Sequence, residues 1–403
     1  MFFDREDYVI VMRTFWPVSP VVGEGMMQVS ERLACEGRCR VVTQDQFGLR
    51  DAVKELKRGQ NVAFSPVYAL SNSSSKMLTR VLDLLWFTLA VFFVLLLRRP
   101  RVVYVATDPP LLVPVVVALY AKLFRASYVY HVQDIHPEAT GIVFSKLKKT
   151  YLRYLYRFFR YLDGLVVKNA AKIITLTPEM ANSLTKRGEI SLLSITYINN
   201  PAAPLPFKPV DLKYDYSFVG NAGRLQRIPL LISAIRQYLQ DGGNKKFAFA
   251  GAGVMSKDLR RLSDEFPDNV EYFGKVPVEK AAQITLASQW AMLPIEDEVC
   301  LYAFPSKAST YAVSGKSIVA ICGFTTSVGQ WVRKHNLGLV VNPDVSALMD
   351  FFNEKNIDQK KDSFYFKKIQ KEGRGNLIDQ LSTDQFVSGV VNVLKGAMNL
   401  SKD

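Results

Sequence analysis

The run Asn199-Asn-Pro-Ala-Ala-Pro-Leu-Pro-Phe-Lys-Pro209 places four prolines in eleven residues. Proline lacks an N–H and cannot continue a helix or sit inside a sheet, so the stretch reads as a hinge between folded units. The same rhythm of apolar strand, loop and helix runs on both sides of it. Before the hinge, Val9–Phe15, Cys39–Thr43, Val102–Ala106, Ala126–Val132 and Lys172–Leu176 read as strands. A Pro/Gly loop spans Trp16 to Gly25, and a helix is expected over Met26–Glu36. After the hinge, Tyr214–Val219, Lys246–Ala250, Val270–Phe273, Trp290–Pro294, Ser317–Ile321 and Gly338–Val341 read as strands, with a helix over Pro229–Gln240. Alternation of this kind implies parallel sheets covered by helices. The expected fold class is α/β, with two Rossmann-like domains whose parallel sheets face each other across a cleft. The first domain is expected over residues 1–205 and the second over 206–384, with a last helix over 385–403 packing back toward the first. Ligands of such sheets bind outside the carboxyl ends of the strands.

At 403 residues, with 49% apolar and 22% charged residues, the chain has ample material for two packed cores, and disordered or disulfide-stapled classes are excluded. Its net charge of +14 is uneven: residues 1–205 hold 26 basic and 16 acidic groups, and 51–205 alone hold 20 and 9. Such an excess attracts phosphate, whether of nucleic acid, anionic lipid or a phosphorylated substrate. No zinc-finger, RNP-type or helix-turn-helix signature accompanies it, so nucleic acid is not expected. Four cysteines are too few for a disulfide framework and suggest a reducing compartment. Cys35 and Cys39 lack companions for a metal site. The acidic start MFFDREDYVIV does not resemble a signal peptide.

Two segments raise a membrane question. Leu84–Leu97 holds fourteen uncharged residues, bounded by Asp83 and by Arg98, Arg99 and Arg101. A helix of that length covers about 21 Å, short of the ~30 Å hydrocarbon core, which leaves a core helix or an interfacial one. In Phe144–Leu162, Lys146, Lys149, Arg153, Arg157 and Arg160 recur every three or four residues. Leu147, Tyr151, Tyr154, Leu155, Phe158 and Leu162 form an adjacent stripe. Basic and aromatic stripes side by side suit a helix lying on anionic lipid.

Gly23-Glu24-Gly25 after the first strand, with Asp45 about twenty residues on, half-matches a dinucleotide fingerprint. The third glycine is absent and the turn is too long, so NAD is not expected. Four other strand-end loops carry candidate chemistry. Tyr130-His-Val-Gln-Asp-Ile-His-Pro-Glu138 groups His131, Asp134, His136 and Glu138, suited to gripping sugar hydroxyls or moving a proton; its spacing is wrong for zinc. Val219-Gly-Asn-Ala-Gly-Arg-Leu-Gln-Arg227 offers close backbone approach at Gly220 and Gly223 and charge at Arg224 and Arg227, a combination that suits a diphosphate. Gly251-Ala-Gly253 leaves room for a base or ribose. Pro305-Ser306-Lys307 opens a helix with a cation near free amides.

In this order the loops resemble those of the family-4 glycosyltransferases of GT-B fold, particularly a WbuB-like branch of bacterial surface-polysaccharide enzymes. The resemblance covers most of the chain and includes Asp108-Pro-Pro, Asn199–Pro201, Asn221 within the Gly220 loop, Tyr311 and Gly315-Lys316. It implies a retaining, metal-independent transfer without cofactor, from a nucleotide diphosphate sugar, expected to be UDP-linked and to carry an N-acetylated deoxyhexose. By that likeness Lys307 and the Gly220–Arg227 loop hold the diphosphate and Asp134 faces the reacting sugar; from the loops themselves Ser306 joins the diphosphate candidates, and His131 and Glu138 join Asp134 as catalytic candidates. Gly23, Glu24 and Gly25 face the acceptor. The family's acidic ribose ligand is replaced here by Thr310, for which Glu296 or Glu298 would compensate. The implied acceptor is linked to polyprenyl diphosphate, in O-antigen or capsule assembly, and the implied location is peripheral, on the cytoplasmic side of the inner membrane. The competing expectations are a nucleotide-sugar epimerase of the same architecture and a non-catalytic membrane-associated subunit.

Overall fold

A computed structural model of the chain describes residues 5–45, 48–71, 75–139, 150–205, 210–354 and 375–400. It divides into two compact units. The first comprises Met1–Asn200 with Thr383–Asp403, and the second Pro201–Ser382.

Among the described residues, unit 1 is built on a seven-stranded parallel sheet of order β3-β2-β1-β4-β5-β6-β7. Its strands are β1 (Tyr8–Val11), β2 (Cys39–Asp45), β3 (Ala63–Tyr68), β4 (Val102–Ala106), β5 (Ser127–Val132), β6 (Lys172–Thr175) and β7 (Ile195–Tyr197). β1, β4 and β5 are buried along their whole length, which explains their near-continuous apolar sequence: a parallel strand covered on both faces has no solvent side. Met12–Phe15 leave the expected first strand, and β3 and β7 had no counterpart in the sequence reading. The helices are α1 (Val22–Ala34), α2 (Leu49–Glu55), α3 (Met77–Arg98), α4 (Leu112–Phe124), α5 (Thr150–Asn169) and α6 (Pro178–Gly188).

The expected Gly23–Gly25 loop is instead the first turn of α1. A Cβ at Gly23 would lie 2.8 Å from the Trp16 amide nitrogen, and one at Gly25 would lie 2.7 Å from the Phe386 ring. These glycines permit packing rather than reaching toward a ligand. Glu24 between them pairs with Arg58 and Gln28.

Unit 2 carries a six-stranded parallel sheet of order β10-β9-β8-β11-β12-β13. The strands are β8 (Tyr214–Val219), β9 (Phe247–Ala250), β10 (Val270–Tyr272), β11 (Ser288–Pro294), β12 (Ser317–Ile321) and β13 (Gly338–Val341). Its helices are α7 (Ile228–Gln240), α8 (Ser256–Glu265), α9 (Val278–Leu286), α10 (Lys307–Val313), α11 (Ser327–Lys334) and α12 (Val345–Phe352). Phe351 and Phe352 of α12 pack edge-on and tilted against Tyr216, Phe247 and Trp290. Aromatic pairs of this geometry add to the stability gained by burying their area. The last helix, α13 (Thr383–Leu400), belongs to unit 1, where Phe386, Val390, Val391 and Leu394 complete the core over β4 and β5.

In each unit the chain winds outward in one direction, returns to the middle and winds the other way. The reversal falls between β1 and β4 in unit 1 and between β8 and β11 in unit 2. Strand-end loops splay apart at such points and leave room for a ligand.

Candidate functional site

The unit 2 site forms where β8 ends. Gly220 and Gly251 take φ values of +145° and +128°, which side chains rarely adopt. The two loops are pressed together: the Gly220 amide donates to the Ala250 carbonyl at 2.9 Å, and a Cβ at Gly251 would lie 1.8 Å from the Gly220 oxygen. Gly253 repeats the arrangement, since a Cβ there would come within 2.3 Å of the Ala222 oxygen. Only glycine lets these two backbones touch.

Lys307 lies across this glycine surface. Its Nζ would be 3.2 Å from a Cβ on Gly220 and stands 4.0 Å from the centroid of Phe218. The ammonium donates to Gln226 Oε1, and burial among these groups pushes it down to about 7. A lysine held near neutrality where two glycine-lined strand-end loops meet is a place where an anion would restore the charge. Tyr311, buried on α10, sets the position of this lysine. Its hydroxyl donates to the Val219 carbonyl at 3.1 Å and accepts from the Val219 amide at 2.9 Å, pinning α10 to the end of β8. Gln226, Phe218 and Tyr311 were not singled out as site residues from the sequence. A tyrosine one helical turn after Lys307 was the available signal for the last.

Other nominated residues have structural employment. The Arg227 guanidinium is taken by Glu296 at 3.0 Å, Asp297 at 2.9 Å and the Ile295 carbonyl at 2.7 Å. It ties the β8 loop to the end of β11 across the reversal point instead of presenting a free cation. Glu296 is thereby Arg227's partner, although its carboxylate remains partly exposed. Thr310 does not stand in for a ribose-binding carboxylate, because its hydroxyl accepts from the Ala203 amide at 2.9 Å and anchors the incoming chain. Asn221 and Ser306 are exposed at the rim, and Gly223 has an ordinary φ of −90°. The Arg224 side chain lies outside the described residues.

The unit 1 site lies at the ends of β4 and β5. The Thr107 hydroxyl accepts from the Gln133 and Asp134 amides at 3.2 and 3.4 Å, and Asp108 accepts from the Thr14 amide at 3.1 Å. Asp134 is exposed as a residue, yet its carboxyl is closely surrounded by protein. This surround, and secondarily Asp108, raises it to about 6.

The structure corrects the roles assigned to His131 and Glu138. His131 is wholly buried, bonds through Nδ1 to the Tyr104 hydroxyl at 2.6 Å, and is driven down to about 3 by burial. It stays neutral and inaccessible, so it cannot shuttle protons. Glu138 is buried against Arg187, which also bonds Asp163 at 2.6 Å and the His136 carbonyl at 2.7 Å. This network braces the loop that presents Asp134. Among the described residues, no three His, Cys, Asp or Glu side chains group as metal ligands.

Residues 23–200 match the glycosyl transferase 4-like domain. A probable glycosyltransferase WbjE of Pseudomonas aeruginosa is 27% identical over 274 residues, covering 64% of this chain and 66% of that protein. Over residues 23–200 the chain thus carries a glycosyl transferase 4-like domain, and its two parallel-sheet units share the GT-B fold. Two solved structures share this fold at low identity. Sucrose-phosphate synthase of Thermosynechococcus elongatus matches at a TM-score of 0.68 and 13% identity, covering 98% of this chain and 100% of that one. Anabaena HepE in complex with UDP matches at 0.61 and 12%, covering 97% and 100%.

Proposed function

We propose that the protein is a retaining, metal-independent glycosyltransferase. It would move a sugar from a UDP-linked donor, of the N-acetylated deoxyhexose kind, to a polyprenyl-diphosphate-linked acceptor in O-antigen or capsule assembly. Its place would be the cytoplasmic face of the inner membrane. The observation that carries the reading is Lys307, desolvated over the Gly220–Gly251 contact at the reversal point of the second sheet. There Lys307 would receive the diphosphate against the glycine-lined loop ends, stabilising the charge that develops as the sugar–phosphate bond breaks. The UDP carried by HepE supports the choice of nucleotide. The unit 1 site is assigned the acceptor, with Asp134 accepting a hydrogen bond from a sugar hydroxyl.

The membrane side of the reading rests on α5. Its Arg153, Arg157 and Arg160 are exposed beside exposed Tyr154, Phe158 and Tyr161; Lys146, Leu147 and Lys149 of the expected stripe lie outside the described residues. A nucleotide-sugar epimerase would have no use for such a face.

Thermal unfolding with a panel of UDP, GDP, TDP and ADP tests the donor. A binder stabilises the native state in proportion to the logarithm of its concentration over Kd. UDP should raise Tm most, and Lys307→Ala should remove most of that rise. Indifference of the wild type to every diphosphate would leave the non-catalytic alternative standing.

A further inference from the structure

The helices α3, α4 and α5 form one face of unit 1. The β3-to-β4, β4-to-β5 and β5-to-β6 connections all advance in the same direction along the sheet. Right-handed crossovers therefore put these helices on the same side, and they pack in the order α3–α4–α5. The 22-residue α3 is long and apolar enough to cross a membrane. It is not a core helix. Only a ridge of Asp83, Phe87, Val91 and Leu95, one residue every four, is buried. Leu82, Leu85, Trp86, Leu89 and Phe93 are 45–52% exposed, and Leu119 and Leu123 of α4 continue the surface at 49% and 64%. An apolar surface of this breadth marks an interaction site.

Two observations say what covers it. The first is charge. α3, α4 and α5 together hold two acidic side chains, Asp83 and Asp163, and both are buried in ion pairs with Arg13 and Arg187. Every exposed charge on the three helices is therefore basic, including Arg80, Lys122, Arg153 and Arg157. Apolar centre and cationic surround together match an anionic bilayer. The second is the anchorage of α3. Asp83 accepts from Arg13 at 2.7 Å, Gln44 at 2.6 Å, Ser71 at 2.6 Å and the Leu70 amide at 2.9 Å. A helix standing across the bilayer would have to leave these partners and carry a carboxylate into hydrocarbon.

We infer that this face is a monotopic membrane-docking surface, with α3 lying in the plane of one leaflet and its outer stripe submerged among the acyl chains. The inference extends the membrane reading above from α5 to α3 and α4, and it assumes nothing about the sugar or the nucleotide.

Trp86 makes it testable on the full-length protein. With vesicles of mixed phosphatidylglycerol and phosphatidylcholine, the protein should float with the lipid, and bromine placed near the headgroup end of the chains should quench tryptophan emission. Trp86→Phe should abolish most of that quenching, because Trp16 is buried and Trp290 and Trp331 belong to unit 2, outside the three helices. Leu85→Glu with Leu89→Glu, both exposed and so neutral for folding, should lower vesicle partition by about tenfold or more for each leucine removed from lipid. UDP-induced thermal stabilisation in the same variant should be unchanged, which separates failure of this inference from failure of the donor assignment. Absence of flotation, or flotation insensitive to the two glutamates, would overturn the proposal. So would stronger quenching by bromine at the chain ends, which indicates a spanning helix. A vesicle-indifferent dimer dispersed by the same substitutions would assign the face to self-association instead.

Discussion

Lys307 and Asp134 are each pushed toward the physiological range, in opposite directions. Lys307 is lowered to about 7 by burial. A bound diphosphate favours its charged form, so below pH 7 the proton is already present and affinity is flat. Above pH 7 binding must take up a proton, and affinity should fall by up to about tenfold per pH unit. Calorimetry in buffers of different ionisation enthalpy should show that uptake, and Lys307→Arg, which remains charged, should abolish it. Asp134 is raised to about 6, first by its protein surround and then by Asp108. As an acceptor it works ionised, so kcat/KM should climb with pH through about 6. Asp134→Asn should lower kcat strongly, remove that limb and leave UDP affinity nearly unchanged. Equal activity of the variant would take Asp134 out of the site. The residue types at both positions were legible in the sequence, whereas their partners were not. His131 and Glu138 stand in the same short motif as Asp134, and nothing local distinguishes a carboxylate facing solvent from one that meets Arg187, 49 residues away. Arg227 misled for the same reason, because its acidic partners lie about 70 positions further on.

At the level of elements, the strand–helix alternation was readable because parallel strands buried on both faces become uninterrupted apolar runs. β3 escaped notice because it is an edge strand, mostly half-buried and interrupted by Pro66. The role of α3 was undecidable from composition, since a charge-free helix looks alike whether its apolar surface meets protein or lipid. Burial of a single ridge separates the two. Helices α5 and α6 meet the Asp134 loop through one buried cluster: Arg187 of α6 holds Glu138, Asp163 of α5 and the His136 carbonyl, and Tyr130 adds a 3.0 Å bond to Asp163. Removing the cation would leave buried Asp163 without a counter-ion and Glu138 with only the exposed Arg160 at 3.5 Å, so Arg187→Met should cost about 3–5 kcal/mol. Part of that loss should return as pH is lowered and those carboxylates take up protons. Denaturant unfolding at neutral and mildly acidic pH measures both effects. A variant as stable as wild type, or one less stable in acid than at neutrality relative to wild type, would contradict this account of the cluster.

For the whole molecule, the chain closes its first unit with its last helix. Val390, Val391 and Leu394 of α13 pack into the same core as Tyr104 of β4 and Val129 of β5, although more than 250 residues separate them in sequence. Gly25 lets α1 approach Phe386 at the start of that helix. Unit 1 therefore cannot complete its core until Thr383–Leu400 is present, whereas Pro201–Ser382 holds all the strands of the second sheet within one continuous stretch. Val390 is wholly buried, and an aspartate there must place a charge, or a proton-bearing carboxyl, among apolar neighbours. Val390→Asp should destabilise unit 1 by several kcal/mol or more, at the upper end of single-substitution effects. Amide exchange should then accelerate in β1, β4 and β5 while β8, β9 and β11 keep their wild-type protection. Because Lys307, Gly220 and Gly251 all lie in unit 2, the same variant should still bind UDP with unchanged affinity while losing transfer to acceptor. Exchange that rose equally in both sheets would mean that the two units unfold as one, and the donor site would then depend on the C-terminal helix after all.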